Sequence, residues 1–226
     1  MPPNTIVYSA HDLTLEKGTA MTTITPVIGG GNVTLWAISP SIPNGLSFSS
    51  TTGAISGTPS VLQTSSVSYT IWANNSGGSA STQVNITIND QVASVSYPST
   101  VEVSNDRTMT TVTPTVSGGD VVSWVIVPSL PSGLFFGSGN GSLWGTPSGL
   151  LANVTYTVFA NNSGGSSVAY LNITVNDQLP TSVTYTPENL TLTRGGVSSD
   201  LPLLPALTGP GDITIWGINA SLPTGL

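Results

Sequence analysis

Nine Asn-x-Ser/Thr triplets carry the clearest chemical pattern in the chain, at Asn32, Asn74, Asn85, Asn140, Asn153, Asn161, Asn172, Asn189 and Asn219. Such triplets accept N-linked sugars where they are exposed. With 32 Ser, 32 Thr and 16 Asn in 226 residues, nine is about twice what composition alone would give. Asn85, Asn172 and Asn189 alternate with Val84, Leu171 and Leu190, which predicts outward-facing strand positions, and the other six fall in predicted turns. All nine are therefore expected to be glycosylation candidates.

The groups that could run catalysis are sparse. His11 is the only His, and Asp12, Glu16, Glu102, Asp106, Asp120, Glu188, Asp200 and Asp212 are scattered over unrelated positions. No nucleophile and base pairing can be assembled around His11, so no catalytic residue, no cofactor and no enzyme are expected. Asp90 and Asp177 are weak calcium candidates. Each supplies one carboxylate where a calcium ion wants about six to eight oxygens, which favours a structural linker.

Three basic residues and a net charge of −7 exclude the positive patch that nucleic acid requires. No apolar run in this segment is long enough to cross a bilayer as a helix, and direct membrane insertion is not expected. Charged residues make up only 6% of the chain, against about 25% in ordinary soluble domains. Ser, Thr, Asn, Gly and Pro supply 122 of the 226 residues, a composition that favours strands and turns.

The elements that must position these groups come in repeats. Trp36-Ala-Ile38, Trp124-Val-Ile126 and Trp216-Gly-Ile218 recur at steps of 88 and 92 residues, each followed by Pro-x-Gly-Leu ending at Leu46, Leu134 and Leu226. The first two copies also share Gly57-Thr58-Pro59 with Gly145-Thr146-Pro147, and the string Ala-Asn-Asn-Ser-Gly-Gly ending at Gly78 and Gly165. Units are predicted at residues 1–90, 91–178 and, as a partial copy, 179–226. Within a unit Tyr69, Ile71 and Ala73 share one face, as do Val84, Ile86 and Ile88. This period of two marks half-buried antiparallel strands, roughly seven per unit, in an all-β sandwich of two sheets.

The string Ile42-Pro43-Asn44-Gly45-Leu46-Ser47-Phe48, followed by Thr52-Gly53-Ala54-Ile55-Ser56-Gly57-Thr58-Pro59, resembles the signature of the immunoglobulin-like He-PIG repeats. These are related to dystroglycan-type cadherin-like domains of large bacterial and archaeal surface proteins. The stretch from Leu130 to Pro147 is similar, with Gly137-Ser-Gly-Asn-Gly141 replacing the Thr-Gly approach, and Leu222-Pro-Thr-Gly-Leu226 keeps only the front of the motif. The resemblance implies tandem immunoglobulin-like β-sandwiches, two complete and one partial, at an extracellular location.

Trp36, Trp124 and Trp216 are expected in the inter-sheet core, with Tyr69 and Tyr156 in positions that resemble a tyrosine corner. Trp72 and Phe159 have the opposite parity, and Trp144 occupies an outer position, so these three are the candidate surface-binding aromatics. The function expected is a non-enzymatic spacer or display module of a longer surface protein, with neighbouring repeats as its first partners. Two alternatives stay open: an adhesin binding glycans or surface proteins, and a filament subunit whose partial third domain is completed by strand complementation.

Overall fold

The computed structural model describes residues 1–196 and 202–222, which form strands, turns and loops without a helix. The first repeat contains β1 (Pro3–Val7), β2 (Asp12–Glu16), β3 (Val27–Gly30), β4 (Leu35–Ser39), β5 (Leu46–Phe48), β6 (Ile55–Gly57), β7 (Gln63–Asn75) and β8 (Gly78–Asn89). The second repeats them as β9 (Ser94–Ser96), β10 (Thr100–Ser104), β11 (Thr115–Ser117), β12 (Ser123–Val127), β13 (Leu134–Phe136), β14 (Leu143–Gly145), β15 (Leu151–Asn162) and β16 (Gly165–Asn176). The third shows β17 (Ser182–Tyr185) paired with β18 (Pro205–Thr208).

One layer of each complete sandwich is a four-stranded sheet, β2-β8-β7-β4 and then β10-β16-β15-β12. The facing layer is built from the β1-β3 and β5-β6 pairs, joined by an Ile24–Ile55 bridge. In the second repeat β9-β11 and β13-β14 are joined by Val112–Leu143 in the same way. Alternation sends one side of each strand inward: Tyr69, Ile71, Ala73, Val84, Ile86 and Ile88 are all buried and share one core with Ile6, Tyr8, Ile24, Trp36 and Ile55. That core replaces the inter-sheet disulfide a Cys-free chain cannot form.

Each complete unit has eight strands rather than seven, and not every pair is antiparallel. β2 runs parallel to β8, and β10 parallel to β16. The opening strand leaves one sheet after β1 and joins the other as β2, where its direction matches that of the closing strand.

The two glycine motifs shared by the complete repeats fit against each other. Gly45 has φ 87°, and a side chain there would collide with Thr58 O; one at Gly57 would collide with Gly45 O. Thr58 N donates to Gly45 O at 2.9 Å, and Thr146 N donates to Gly133 O at 2.9 Å. The Pro-x-Gly-Leu turn and the Gly-Thr-Pro turn thus form one clasp at the end of the β5-β6 hairpin, closed by the fully buried Pro59. In the third repeat the motif from residue 223 onward lies outside the described residues.

Candidate functional site

At the first junction the chain passes between sandwiches without a free residue. Asn89 O, at the end of β8, accepts from Lys17 N at 2.9 Å within the first repeat. The next residue, Asp90, is buried and bonded into the second repeat. Its N–H donates to Ser163 Oγ at 2.8 Å, and its Oδ2 accepts from Asp120 N at 3.3 Å. Asn162 Nδ2 then donates to Gln91 O at 2.6 Å.

The second junction repeats the carboxylate contact, although Asp177 is exposed where Asp90 is buried. Asp177 Oδ2 accepts from Asp212 N at 3.3 Å, and Gln178 Nε2 reaches back to Asn105 O at 2.5 Å. The Asp carboxylates, the weak calcium candidates of the sequence, are therefore spent on backbone N–H groups on both sides of the turn. A side chain at Gly119 would collide with Gln91 O, so this glycine lets the loop close over the linker.

The remaining ionisable groups do not converge. Asp12 accepts from Asn85 Nδ2 at 2.8 Å, Glu16 from Thr19 Oγ1 at 2.9 Å, and Asp106 from Asn105 Nδ2 at 2.9 Å. His11 is exposed, with Nδ1 3.0 Å from Gln83 O. Among the described residues no three His, Cys, Asp or Glu side chains gather in a metal-sized group. Asp200 lies outside the described residues.

The sugar-acceptor asparagines are distributed over the surface. Asn32, Asn140, Asn153, Asn189 and Asn219 are exposed, and Asn74, Asn85, Asn161 and Asn172 are half-buried on outer strand faces. Contrary to expectation, Asn74, Asn153 and Asn161 lie within β7 and β15 rather than in turns, and Asn189 lies in a bend after β17 rather than on a strand. In the Asn-Asn-Ser-Gly-Gly turns the labour is divided. Asn75 and Asn162, which are not acceptors, bond Gly77 N and Gly164 N and hold the incoming chain through Met1 O and Gln91 O. Their neighbours Asn74 and Asn161 carry the triplets.

The aromatic side chains separate into two groups. Trp36 and Trp124 are 3% and 5% exposed, and Tyr69 and Tyr156 are both buried. Trp216, expected to join them, is 52% exposed, because no described sheet corresponding to β4-β7-β8 packs around it. Tyr69 OH donates to the Gln63 side chain at 2.9 Å, and Gln63 Nε2 donates to Ile86 O at 2.7 Å. The hydroxyl is thus tied back through a side chain, not directly to backbone as in a tyrosine corner. Tyr156 has Leu151 in the place of Gln63, so the relay is absent there.

Sequence reasoning missed the stronger phenol tie. Tyr8 OH donates to Gly53 O at 2.5 Å, and Tyr97 OH to Gly141 O at 2.6 Å, tying the chain just after β1 and β9 to the turns of the β5-β6 and β13-β14 hairpins. Burial pushes both phenols well above the ordinary tyrosine value. A raised native value means that the unfolded chain loses its proton first, so this stability is present below about pH 10 and falls as pH rises beyond it. Absorbance titration at 295 nm is expected to show Tyr8 and Tyr97 ionising only as the fold opens. In Tyr8→Phe and Tyr97→Phe the alkaline loss of stability should be shallower.

Of the surface-binding candidates, Trp72 and Phe159 are half-buried on the outer faces of the four-stranded sheets. Trp144 is 40% exposed and lies stacked on Phe135, itself 57% exposed, with centroids 6.2 Å apart and planes at 27°. The register of β13 with β14 places Phe135 opposite Trp144. The signal was readable: Phe135 is the outward residue between Leu134 and Phe136.

Solved structures similar to the chain include extracellular domains 3–5 of Drosophila OTK, at 15% identity and a TM-score of 0.48, covering 77% of this chain and 63% of that one. The insect immune protein hemolin is similar at 16% identity and a TM-score of 0.45, covering 78% and 47%, and the titin fragment I67–I69 at 17% and 0.38, covering 80% and 67%. The chain thus spans less than two thirds of the length of the OTK and hemolin chains. No curated protein matches the sequence. The He_PIG family model, described as "Putative Ig domain", matches residues 3–89 and again 90–176. On those two consecutive matches, the chain belongs to the He_PIG family of immunoglobulin-like domains.

Proposed function

We propose that this chain is a non-enzymatic spacer and display segment of an extracellular surface protein, built of three units whose first boundary falls between Asn89 and Asp90. The observation that carries this reading is the junction. Asn89 is bonded into one sandwich and Asp90 into the next, so no slack residue remains to act as a swivel. A glycan coat on the outward asparagines would supply the hydration that a surface with 6% charged residues lacks, and would keep strand edges from pairing with other chains.

The test is small-angle scattering of the wild type beside Asp90→Ala with Asp177→Ala. The wild type should give a narrow distribution of lengths expected of a stiff rod, and the double variant a broader one with a shorter mean. A wild-type profile typical of a freely jointed chain would overturn the spacer reading.

Self-assembly is favoured by a separate observation. Val183, Leu207, Trp216 and Ile218 are 43%, 46%, 52% and 68% exposed in the third unit, an apolar surface of the kind that seeks a covering partner. Particle mass rising with concentration in the same scattering series would support a filament subunit. Constant mass would count against it.

A further inference from the structure

The turn at residues 137–142 of the second repeat brings a sugar acceptor and an aromatic platform onto one face. Leu134, Phe136 and Leu143 point toward the core, with Leu134 and Leu143 buried, which leaves Phe135, Gly137 and Trp144 on the outer side of the hairpin. A methyl group in place of the Gly137 hydrogen would collide with Asn140 Oδ1 and come within 3.3 Å of Trp144 Cζ3. The Asn140 amide and the Trp144 ring therefore flank the same glycine.

The amide is already oriented for a sugar. Asn140 Oδ1 accepts from Ser142 N at 3.0 Å. An N-linked sugar is carried on Nδ2 and leaves Oδ1 free to keep that bond. Gly137 N donates to Ser142 O at 2.8 Å and Gly141 N to Gly137 O at 2.8 Å, so the turn that presents Asn140 is closed by its own backbone.

Comparison of the two repeats supplies an independent argument. The positions of Phe135 and Trp144 are held in the first repeat by Ser47 and Ser56, which face each other across β5 and β6. Gly141 corresponds to Gly53, each packed on its repeat's core Trp, so Asn140 corresponds to Thr52. The first repeat therefore lacks both the acceptor and the aromatic pair, and the second has both. The fold needs neither, since Ser and Thr serve in an otherwise equivalent hairpin. Their joint appearance fits a shared purpose.

We infer that the first sugar of an N-linked glycan on Asn140 packs its C–H face on the Phe135–Trp144 pair, making this acceptor structural where the others serve as coat. The inference rests on the reading that these asparagines carry sugar. Tethering raises the local sugar concentration enough for a weak stacking contact to be occupied, and burying the two exposed rings is favourable.

The test expresses the full chain in a secreting host that adds N-acetylglucosamine-based glycans, trims them enzymatically to one sugar, and maps occupancy by peptide mass. Removing the acceptor by Asn140→Gln, or by Ser142→Ala, which keeps the Asn140 side chain, should lower the thermal midpoint of the second repeat by about 4–8 °C. In a Phe135→Ser, Trp144→Ser background the same changes should shift it by less than about 1 °C.

Equal shifts in both backgrounds would overturn the inference, as would an empty Asn140 beside occupied acceptors elsewhere, which leaves the coat reading intact. If all nine acceptors are empty, both fall. Concentration-dependent association abolished by the double Ser variant, with no dependence on the sugar, would assign the patch to a second copy and also overturn the inference.

Discussion

Trp36→Ala and Trp124→Ala are each expected to destabilise their own repeat by about 3–5 kcal/mol, whereas Trp216→Ala should change stability by no more than about 0.5 kcal/mol. The three residues stand at equivalent places in the repeat, so sequence alone would give them one effect. Their surroundings differ. Trp36 pairs with Ala73, its backbone N–H donates to Ser50 O at 2.9 Å, and its ring lies under Gly53 in the shared core. Trp124 makes an edge-to-face contact with Tyr97, at 6.4 Å and 82°.

Deleting either ring removes a large buried apolar area and leaves a cavity that the two sheets cannot close by local adjustment. For a unit of this size each kcal/mol moves the midpoint by about 4–8 °C. The affected repeat should therefore melt at least about 12 °C earlier in calorimetry, while its neighbour keeps its own transition. A Trp216→Ala loss as large as that of Trp36→Ala would show that the third unit has a closed core in solution.

Gly53→Ala and Gly141→Ala carry the second largest expected effect, about 2–5 kcal/mol each from left-handed backbone strain and overpacking together. Gly53 has φ 72° and Gly141 φ 68°, and a Cβ at either would lie 2.7 Å from the nearest ring carbon of Trp36 or Trp124. The same glycines present the carbonyls that Tyr8 and Tyr97 bond, so a shift that relieves the clash would also stretch the phenol tie. Gly139→Ala is the control. Nothing lies within 4 Å of its would-be Cβ and its φ is not positive, so it should be neutral or stabilise by about 0.4–1 kcal/mol. Urea unfolding of the three variants checks the ordering, and equal midpoints would refute it.

The alternation in Tyr69, Ile71 and Ala73 and in Val84, Ile86 and Ile88 was enough to place β7 and β8 and their buried faces, because strand periodicity is a local property. The parallel pairing of β2 with β8 was not legible in the same way. It depends on the chain changing sheets after β1, and no local residue type announces which sheet a short strand will join. Asp90 shows the same limit at the junction. As a sequence feature it is a lone carboxylate beside Gln91, with a weak resemblance to a cation site. In the structure one of its oxygens accepts from the adjacent Gln91 N–H and the other from the backbone of Asp120, thirty residues ahead.

The sequence by itself determined an all-β chain of repeated modules, few ionisable groups, and outward asparagines, since composition and period two act residue by residue. Only the tertiary structure decided that Gly45 meets Thr58, that Tyr8 reaches Gly53, that Phe135 and Trp144 share a face with Asn140, and that Trp216 stands open while Trp36 and Trp124 are enclosed. The physical reason is range. Enclosure and hydrogen-bond satisfaction depend on which distant strands are packed alongside, and identical local strings meet different neighbours in each copy.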